Sequence, residues 1–220
     1  MRNLPKKVLI TDIDNTLFDW FSMWHDSFSA MMEAVANISG VSQDILLHDA
    51  KLVHQKHGTS EYAFLLEELP CLKDLYGTKE NILRELAGAI SIYRKVRDEK
   101  LVLYDGVMGV LCELKNRGVK IYAFSESKEY YSSYRISHLG LDGVLDALYC
   151  PEDHEIPAGK LKTNLLVQTK CNLLPGEFKK PNKEILLKIL ESQNIALESA
   201  LYVGDSKAKD IKMAIDANID

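Results

Sequence analysis

Short apolar runs that each end at a polar residue mark the strands of a predicted parallel sheet. Three such runs occupy residues 8–10, 119–124 and 200–203, and a weaker fourth occupies residues 144–149. Continuous β-branched and aliphatic stretches of this length are typical of strands that are buried on both faces.

Amphipathic helical patterns separate these runs. Residues 107–114 place apolar side chains at helical spacing before Gly118, a residue type that commonly ends helices, and residues 182–192 repeat the pattern. Alternating strands and helices predict an α/β fold built on a doubly wound parallel sheet. Ligands of such sheets bind beyond the carboxyl ends of the strands, where Asp12, Ser125 and Asp205 are expected to project.

Residues 18–100 interrupt this alternation, because they contain amphipathic helical patterns and no convincing strand. Ser42 and Thr78 are expected to cap two of the helices. The predicted helical segments are residues 18–38, 43–57, 61–69 and 79–97. The chain therefore divides into an α/β core of residues 1–17 and 101–220 and an inserted all-helical unit of residues 18–100. Residues 151–175 are predicted to form a hairpin or a loop.

The amino-acid composition limits the kinds of molecule that the protein is expected to bind and the compartment in which it is expected to occur. The 27 basic and 32 acidic residues give a net charge of −5, which argues against binding to nucleic acid. No apolar run approaches the roughly 18 residues that a membrane-spanning helix needs. The four cysteines are far apart and form no C-x-x-C pair, so a reducing cytoplasm is the expected location.

Carboxylates cluster at the ends of the predicted strands. Asp12 and Asp14 follow the first strand, and on an extended backbone both would point to the same face. Asp205 and Asp210 follow the last strand. Carboxylates that converge in this way repel one another, and such a cluster usually persists because a hard divalent cation neutralises it. We expect Mg²⁺, which accepts oxygen ligands and leaves room for a phosphate.

Each motif taken singly has a plainer interpretation as a turn, a helix cap or a solvated lysine. Taken in order, the motifs resemble those of the haloacid dehalogenase superfamily. The correspondence covers D-x-D-x-T at residues 12–16, a strand ending in Ser125, then Lys180, then Gly204 and Asp205 followed by Asp210, similar to G-D-x-x-x-D. The resemblance implies a Rossmann-like core and identifies residues 18–100 as similar to the helical cap of that family.

The resemblance also implies a set of roles. Asp12 would be the nucleophile that forms an aspartyl-phosphate, and Asp14 the general acid and base. Mg²⁺ would be held by the Asp12 carboxylate, the backbone carbonyl of Asp14 and Asp205. Ser125 and Lys180 would bind the transferring phosphoryl group.

Asp210 is expected behind these ligands, where it would orient Lys180 or a metal-bound water. Because dehalogenases of the family lack an acid at the position of Asp14, hydrolysis of a small phosphorylated metabolite is the favoured activity. A phosphomutase using the same residues and a catalytically silent binding protein remain alternatives, and the oligomeric state is not predicted.

Two departures from the family pattern carry expectations of their own. Ser125 is followed by Glu126 where relatives often have Asn, and we expect this carboxylate to point away from the substrate or toward the helical cap. The interval before Lys180 is long, and Lys160 or Lys162 could compete with Lys180 for the phosphate.

Overall fold

A computed structural model describes residues 5–153, 165–174 and 178–220. Its sheet contains the strands β1 (Val8–Thr11), β2 (Lys120–Phe124), β3 (Ala147–Pro151), β4 (Lys170–Leu174) and β5 (Ala200–Val203). They are hydrogen-bonded in the order β4-β3-β2-β1-β5, and every pair is parallel. This arrangement confirms the α/β prediction, with β1 at an interior position.

The helices of the described residues follow in chain order. They are α1 (Trp20–Ser39), α2 (Gln43–His57), α3 (Leu65–Glu68), α4 (Pro70–Tyr76), α5 (Lys79–Glu85), α6 (Ala87–Lys100), α7 (Val107–Asn116), α8 (Glu129–His138), α9 (Lys183–Ser192) and α10 (Lys212–Asp216). None of these helices is both long enough and apolar enough to cross a bilayer.

Contacts divide the described chain into two compact units. The first, an α/β unit, contains residues 5–20 and the described residues from 101 onward; the second, a helical unit, contains residues 21–100. The α/β unit buries one apolar face of its sheet, including Ile10 and Tyr122, against α9 and α10. α7 contacts β2, and α8 contacts β3.

The helical unit has a core of its own, to which α2 contributes Leu46 and α5 contributes Ile82. The predicted caps are present: the Ser42 and Thr78 hydroxyls accept hydrogen bonds from the first turns of α2 and α5. Ser and Thr at these positions satisfy amide groups that have no partner inside the helix.

The structure corrects several predicted boundaries. The helix predicted at residues 61–69 is reduced to α3, because Pro70 does not merely end it but occupies the first turn of α4, where its fixed φ suits a helix. The helix predicted at residues 79–97 is divided at Leu86 into α5 and α6. The weak strand predicted at residues 144–149 begins later, at Ala147. Residues 151–175, predicted to form a hairpin or a loop, contain the edge strand β4. Residues 154–164 of this segment lie outside the described residues.

Candidate active site

The residues that follow β1, β2 and β5 meet at one edge of the sheet. Thr11, at the end of β1, lies opposite Ala123 on β2 and Val203 on β5. The amide of Asp12 donates to the carbonyl of Val203 at 2.8 Å. The backbone of Asp12 is therefore held in the sheet for one residue beyond the strand.

The Asp12 carboxylate is buried beside a cation. Its Oδ1 accepts a hydrogen bond from Lys180 Nζ at 2.6 Å, and its Oδ2 accepts one from the Thr16 hydroxyl at 3.2 Å. Burial raises the pKa of Asp12 from 3.8 to about 6, although Lys180 acts in the opposite direction. The fold thus keeps a carboxylate where ionising it costs free energy.

Lys180 links the first and last motifs. Its side chain is only 2% exposed, and Nζ lies 2.6 Å from Asp12 Oδ1 and 2.9 Å from Asp210 Oδ1. The ammonium also lies 4.9 Å from the ring centroid of Phe124 and 5.7 Å from that of Tyr202. Two carboxylates and two aromatic faces together compensate the desolvation of a buried cation.

Asp210 is fixed by donors on both oxygens. Oδ1 accepts from the Tyr202 hydroxyl at 2.7 Å as well as from Lys180, and Oδ2 accepts from the Ser206 amide at 3.1 Å. Burial and the negative charge of Asp210 raise the pKa of Tyr202, so the phenol keeps its proton and remains a donor. A Cβ at Gly204 would lie 2.5 Å from both Cβ and Cγ of Asp210, which explains why glycine is required there.

The turn that carries Asp210 departs from the predicted motif. Asp210 follows Asp205 by five positions, one more than in G-D-x-x-x-D. Residues 207–211 form a π-helical turn in which the amide of Ile211 donates to the carbonyl of Ser206 at 3.1 Å, a pairing of residues five apart. A π-helical turn accommodates an additional residue in a helix, and such turns occur preferentially at functional sites.

Three carboxylates approach closely enough to hold a cation. One oxygen from each of Asp12, Asp205 and Asp210 lies within 4.8 Å of the other two. Asp205 is exposed, whereas the other two are buried. The cluster contains Asp210 in addition to the predicted pair, and a set made only of carboxylate oxygens suits a hard divalent cation.

The side chain of Asp14 is held by residues that sequence reasoning missed. Ser127 Oγ donates to Asp14 Oδ2 at 2.6 Å, and Arg135 Nη1 lies 3.0 Å from Oδ2 and 2.9 Å from Oδ1. Ser127 comes two residues after a predicted site residue, which is a usable signal. Arg135 lies on α8, a helix that the apolar pattern did not reveal.

Ser125 is buried at the end of β2. Its amide donates to the carbonyl of Tyr149, and its Oγ accepts from the amide of Ser127 at 3.0 Å. This local turn directs the chain from β2 toward α8 and brings Ser127 beside Asp14. The hydroxyl of Ser125 therefore lies at the edge that carries Asp12.

Glu126 accepts hydrogen bonds from two other segments of the α/β unit. Its Oε1 accepts from the backbone amide of Lys180 at 3.0 Å, and its Oε2 accepts from Lys209 Nζ at 2.6 Å. The carboxylate thus connects the loop after β2 with the segments that carry Lys180 and Lys209. The competing candidates Lys160 and Lys162 lie outside the described residues.

Comparison with known proteins agrees with this arrangement. A sequence profile of the haloacid dehalogenase-like hydrolases matches residues 6–218. Among solved structures, a similar one is the provisionally assigned HAD hydrolase YfnB of Bacillus subtilis, crystallised with magnesium. It has 20% identity and a TM-score of 0.59, over 99% of this chain and 87% of that one.

Two further structures are similar over 97% of this chain. A provisionally assigned β-phosphoglucomutase of Thermotoga maritima has 20% identity, a TM-score of 0.58 and 82% of its own length covered. The 2-haloacid dehalogenase of Pseudomonas syringae pv. tomato has 16% identity, a TM-score of 0.60 and 84% of its length covered. At these identities the similarity concerns the fold.

A parallel sheet with two aspartates after its first strand and a buried lysine against the first of them defines a class of hydrolase. The chain belongs to the haloacid dehalogenase-like hydrolases, the family whose profile spans nearly all of it.

Proposed function

We propose that this protein is a Mg²⁺-dependent phosphatase that hydrolyses a small phosphate monoester through an aspartyl-phosphate. The observation that carries the proposal is the position of Asp12, whose carboxylate contacts Lys180 Nζ at 2.6 Å. Lys180 is thereby close to any phosphoryl group that Asp12 attacks. Asp14, two residues later, supplies the second carboxylate that ester hydrolysis requires.

In the first step a carboxylate oxygen of Asp12 attacks phosphorus. The bond from phosphorus to the ester oxygen breaks, and the leaving alkoxide takes a proton from Asp14. Lys180 and Ser125 donate to the phosphoryl oxygens, whose charge must be balanced throughout the transfer.

In the second step a water molecule attacks the phosphorus of the aspartyl-phosphate. Asp14, now ionised, accepts the proton of that water, and the bond between phosphorus and Asp12 breaks. Inorganic phosphate leaves, Asp12 is again a carboxylate, and Asp14 is again protonated for the next cycle.

The carboxylates of Asp12, Asp205 and Asp210 fit a magnesium ion, because their oxygens approach within 4.8 Å and are hard ligands. When bound, the cation neutralises charge on the phosphoryl oxygens and relieves repulsion among the carboxylates. Asp210 already accepts hydrogen bonds on both oxygens, so we assign direct ligation first to Asp12 and Asp205, with the backbone carbonyl of Asp14.

A phosphate ester is favoured over a halide because of Asp14. Halide leaves without a proton, whereas an alkoxide needs one, so an acid at this position has a purpose only in ester cleavage. The net charge of −5 further favours a small substrate over a nucleic acid.

The test is hydrolysis of 4-nitrophenyl phosphate by the purified chain, with Mg²⁺ and with excess EDTA. We expect activity that requires the metal, that Asp12→Asn abolishes, and that Asp74→Asn leaves unchanged because this exposed residue makes none of the site contacts described above. Borohydride reduction during turnover should convert Asp12 to homoserine, which mass spectrometry detects.

Three results would contradict the proposal. Activity that survives Asp12→Asn would show that Asp12 is not the nucleophile. Activity unaffected by EDTA would show that the reaction does not require the metal. Phosphoryl transfer to a sugar phosphate in preference to water would identify a phosphomutase instead.

A further inference from the structure

Arg135 is buried against the carboxylate of Asp14. Its side chain is 3% exposed, and its guanidinium carbon lies 5.8 Å from the ring centroid of Phe18 and 5.9 Å from that of Tyr131. A guanidinium in such surroundings has lost most of its hydration, and a charge this deeply buried persists only where counter-charges and hydrogen bonds compensate it.

The contacts of Arg135 form a closed triangle. Nη1 lies 2.9 Å and 3.0 Å from the two oxygens of Asp14 and donates to Ser127 Oγ at 2.8 Å. Ser127 Oγ in turn donates to Asp14 Oδ2 at 2.6 Å. Three polar groups from two different segments thus determine one another's positions, and rotation of Asp14 about χ1 would break its contacts with both Arg135 and Ser127.

We propose that Arg135 and Ser127 are positioning residues for Asp14, which hold its carboxylate in the orientation needed for proton transfer to the leaving group. The inference rests on the proposed phosphatase function. It assigns to α8, which contains no motif residue, a direct part in the geometry of the reaction.

A catalytic proton donor must lie within hydrogen-bond reach of the leaving oxygen, and a displacement of about 1 Å can cost on the order of 100-fold in rate. In this proposal Arg135 acts on the reaction through its contacts with Asp14. Removing Arg135 should therefore lower the rate most for substrates whose leaving group depends most on proton donation by Asp14.

The experiment measures kcat/KM for a series of aryl phosphates whose leaving phenols range from weakly to strongly basic. For this mechanism kcat/KM reports steps up to formation of the aspartyl-phosphate, when Asp14 acts as the acid. Arg135→Met should lower kcat/KM by roughly 10- to 100-fold for the most basic phenol and by less than about threefold for the least basic one.

Two variants define the geometry. Arg135→Lys keeps the charge but not the shape of the guanidinium, so it should recover part of the loss. Ser127→Ala should change the leaving-group dependence in the same direction as Arg135→Met, by a smaller factor. Arg117→Met, which removes an exposed arginine paired with Glu113, should leave the series unchanged.

A double-mutant cycle separates positioning from a general structural role. In an Asp14→Asn background, Arg135→Met should have no further effect on kcat/KM. If Arg135 only supports the fold or binds substrate, the loss will be equal for all phenols and will persist in that background. Either result would overturn the inference.

Refutation of the positioning role can be distinguished from misfolding of a variant and from failure of the phosphatase proposal. If Arg135→Met does not fold, Arg135→Lys and Ser127→Ala supply the same comparison with smaller perturbations. Asp12→Asn reports on the phosphatase function itself. If it abolishes activity while the leaving-group dependence of the Arg135 variants is unchanged, only the positioning role is refuted.

Discussion

Replacing Asp12 by asparagine should stabilise the metal-free protein while abolishing activity. Burial raises the pKa of this carboxyl from 3.8 to about 6, and Lys180 is already included in that balance. At about 1.4 kcal/mol per pKa unit, ionised Asp12 costs the fold roughly 3 kcal/mol. Asparagine has nearly the same shape and carries no charge, although it is a weaker acceptor for Lys180, so we expect a gain of about 1 to 3 kcal/mol.

The sign of the pH dependence follows from the direction of the pKa change. The folded protein binds the Asp12 proton more tightly than the unfolded chain, so ionisation destabilises the fold as the pH rises from about 4 to about 6. The stability advantage of Asp12→Asn should be complete above pH 7, should be small at pH 4 and should disappear below about pH 3, where both states carry the proton.

The assay is hydrogen exchange of the β1 amides, resolved by mass spectrometry, in EDTA at pH values from 4 to 8 with increasing urea. Exchange in β1 reports unfolding of the α/β unit separately from the helical unit. Asp74→Asn, an exposed substitution, should change the free energy of unfolding by less than about 0.5 kcal/mol. An Asp12→Asn protein that is less stable at pH 8, or whose advantage is the same at every pH, would refute the reasoning.

Three other substitutions test separate parts of the structure. Gly204→Ala should destabilise the α/β unit by about 1 to 3 kcal/mol and reduce activity, because its Cβ would lie 2.5 Å from Asp210; thermal unfolding and kcat measure this. Glu126→Ala should lower kcat roughly tenfold by releasing the segment that carries the site lysine. Leu46→Ala should destabilise the helical unit by about 2 to 5 kcal/mol, whereas Leu47→Ala, in the same helix but 44% exposed, should change its urea unfolding by less than about 0.5 kcal/mol.

Matched controls make these predictions specific. Gly109→Ala introduces a methyl group within α7 that meets nothing within 4 Å, so it should be neutral or slightly stabilising. Glu113→Ala removes an exposed carboxylate and should leave kcat unchanged. If Gly109→Ala and Gly204→Ala have equal effects, or Glu113→Ala and Glu126→Ala do, the close contacts assigned to the site residues are not responsible.

The sequence alone predicts the site residues at the strand ends, because each apolar run stops just before a polar residue that can carry chemistry. Asp12 follows β1 directly, Asp205 follows β5 after one glycine, and the two strands are paired with each other. Lys180 was assigned by resemblance to a family motif, and the structure brings its ammonium to Asp12. These positions depend on local patterns and on the rule that parallel strands share their carboxyl edge.

The site residues that the sequence did not reveal lie in an element whose buried side chains are mostly polar. α8 buries Ser132, Ser133 and Arg135 alongside a single large apolar residue, Ile136, so its buried face carries little of the apolar periodicity by which a helix is recognised. β4 lies in the segment that the sequence predicts as a hairpin or loop, because a half-exposed edge strand has no continuous buried run. Such elements are defined by tertiary contacts that a single sequence does not display.

The pairing of β1 with distant strands has a consequence for biosynthesis. Asp12 and Lys180 are 168 residues apart, and Asp14 and Arg135 are 121 apart. A nascent chain that has not yet extended past Lys180 exposes the Asp12 carboxylate without its counter-charge, and β1 without β5. The helical unit relies on contacts within 80 consecutive residues and can form while the rest is still being made. The contact between Asp12 and Lys180 therefore forms later in synthesis than the helical unit.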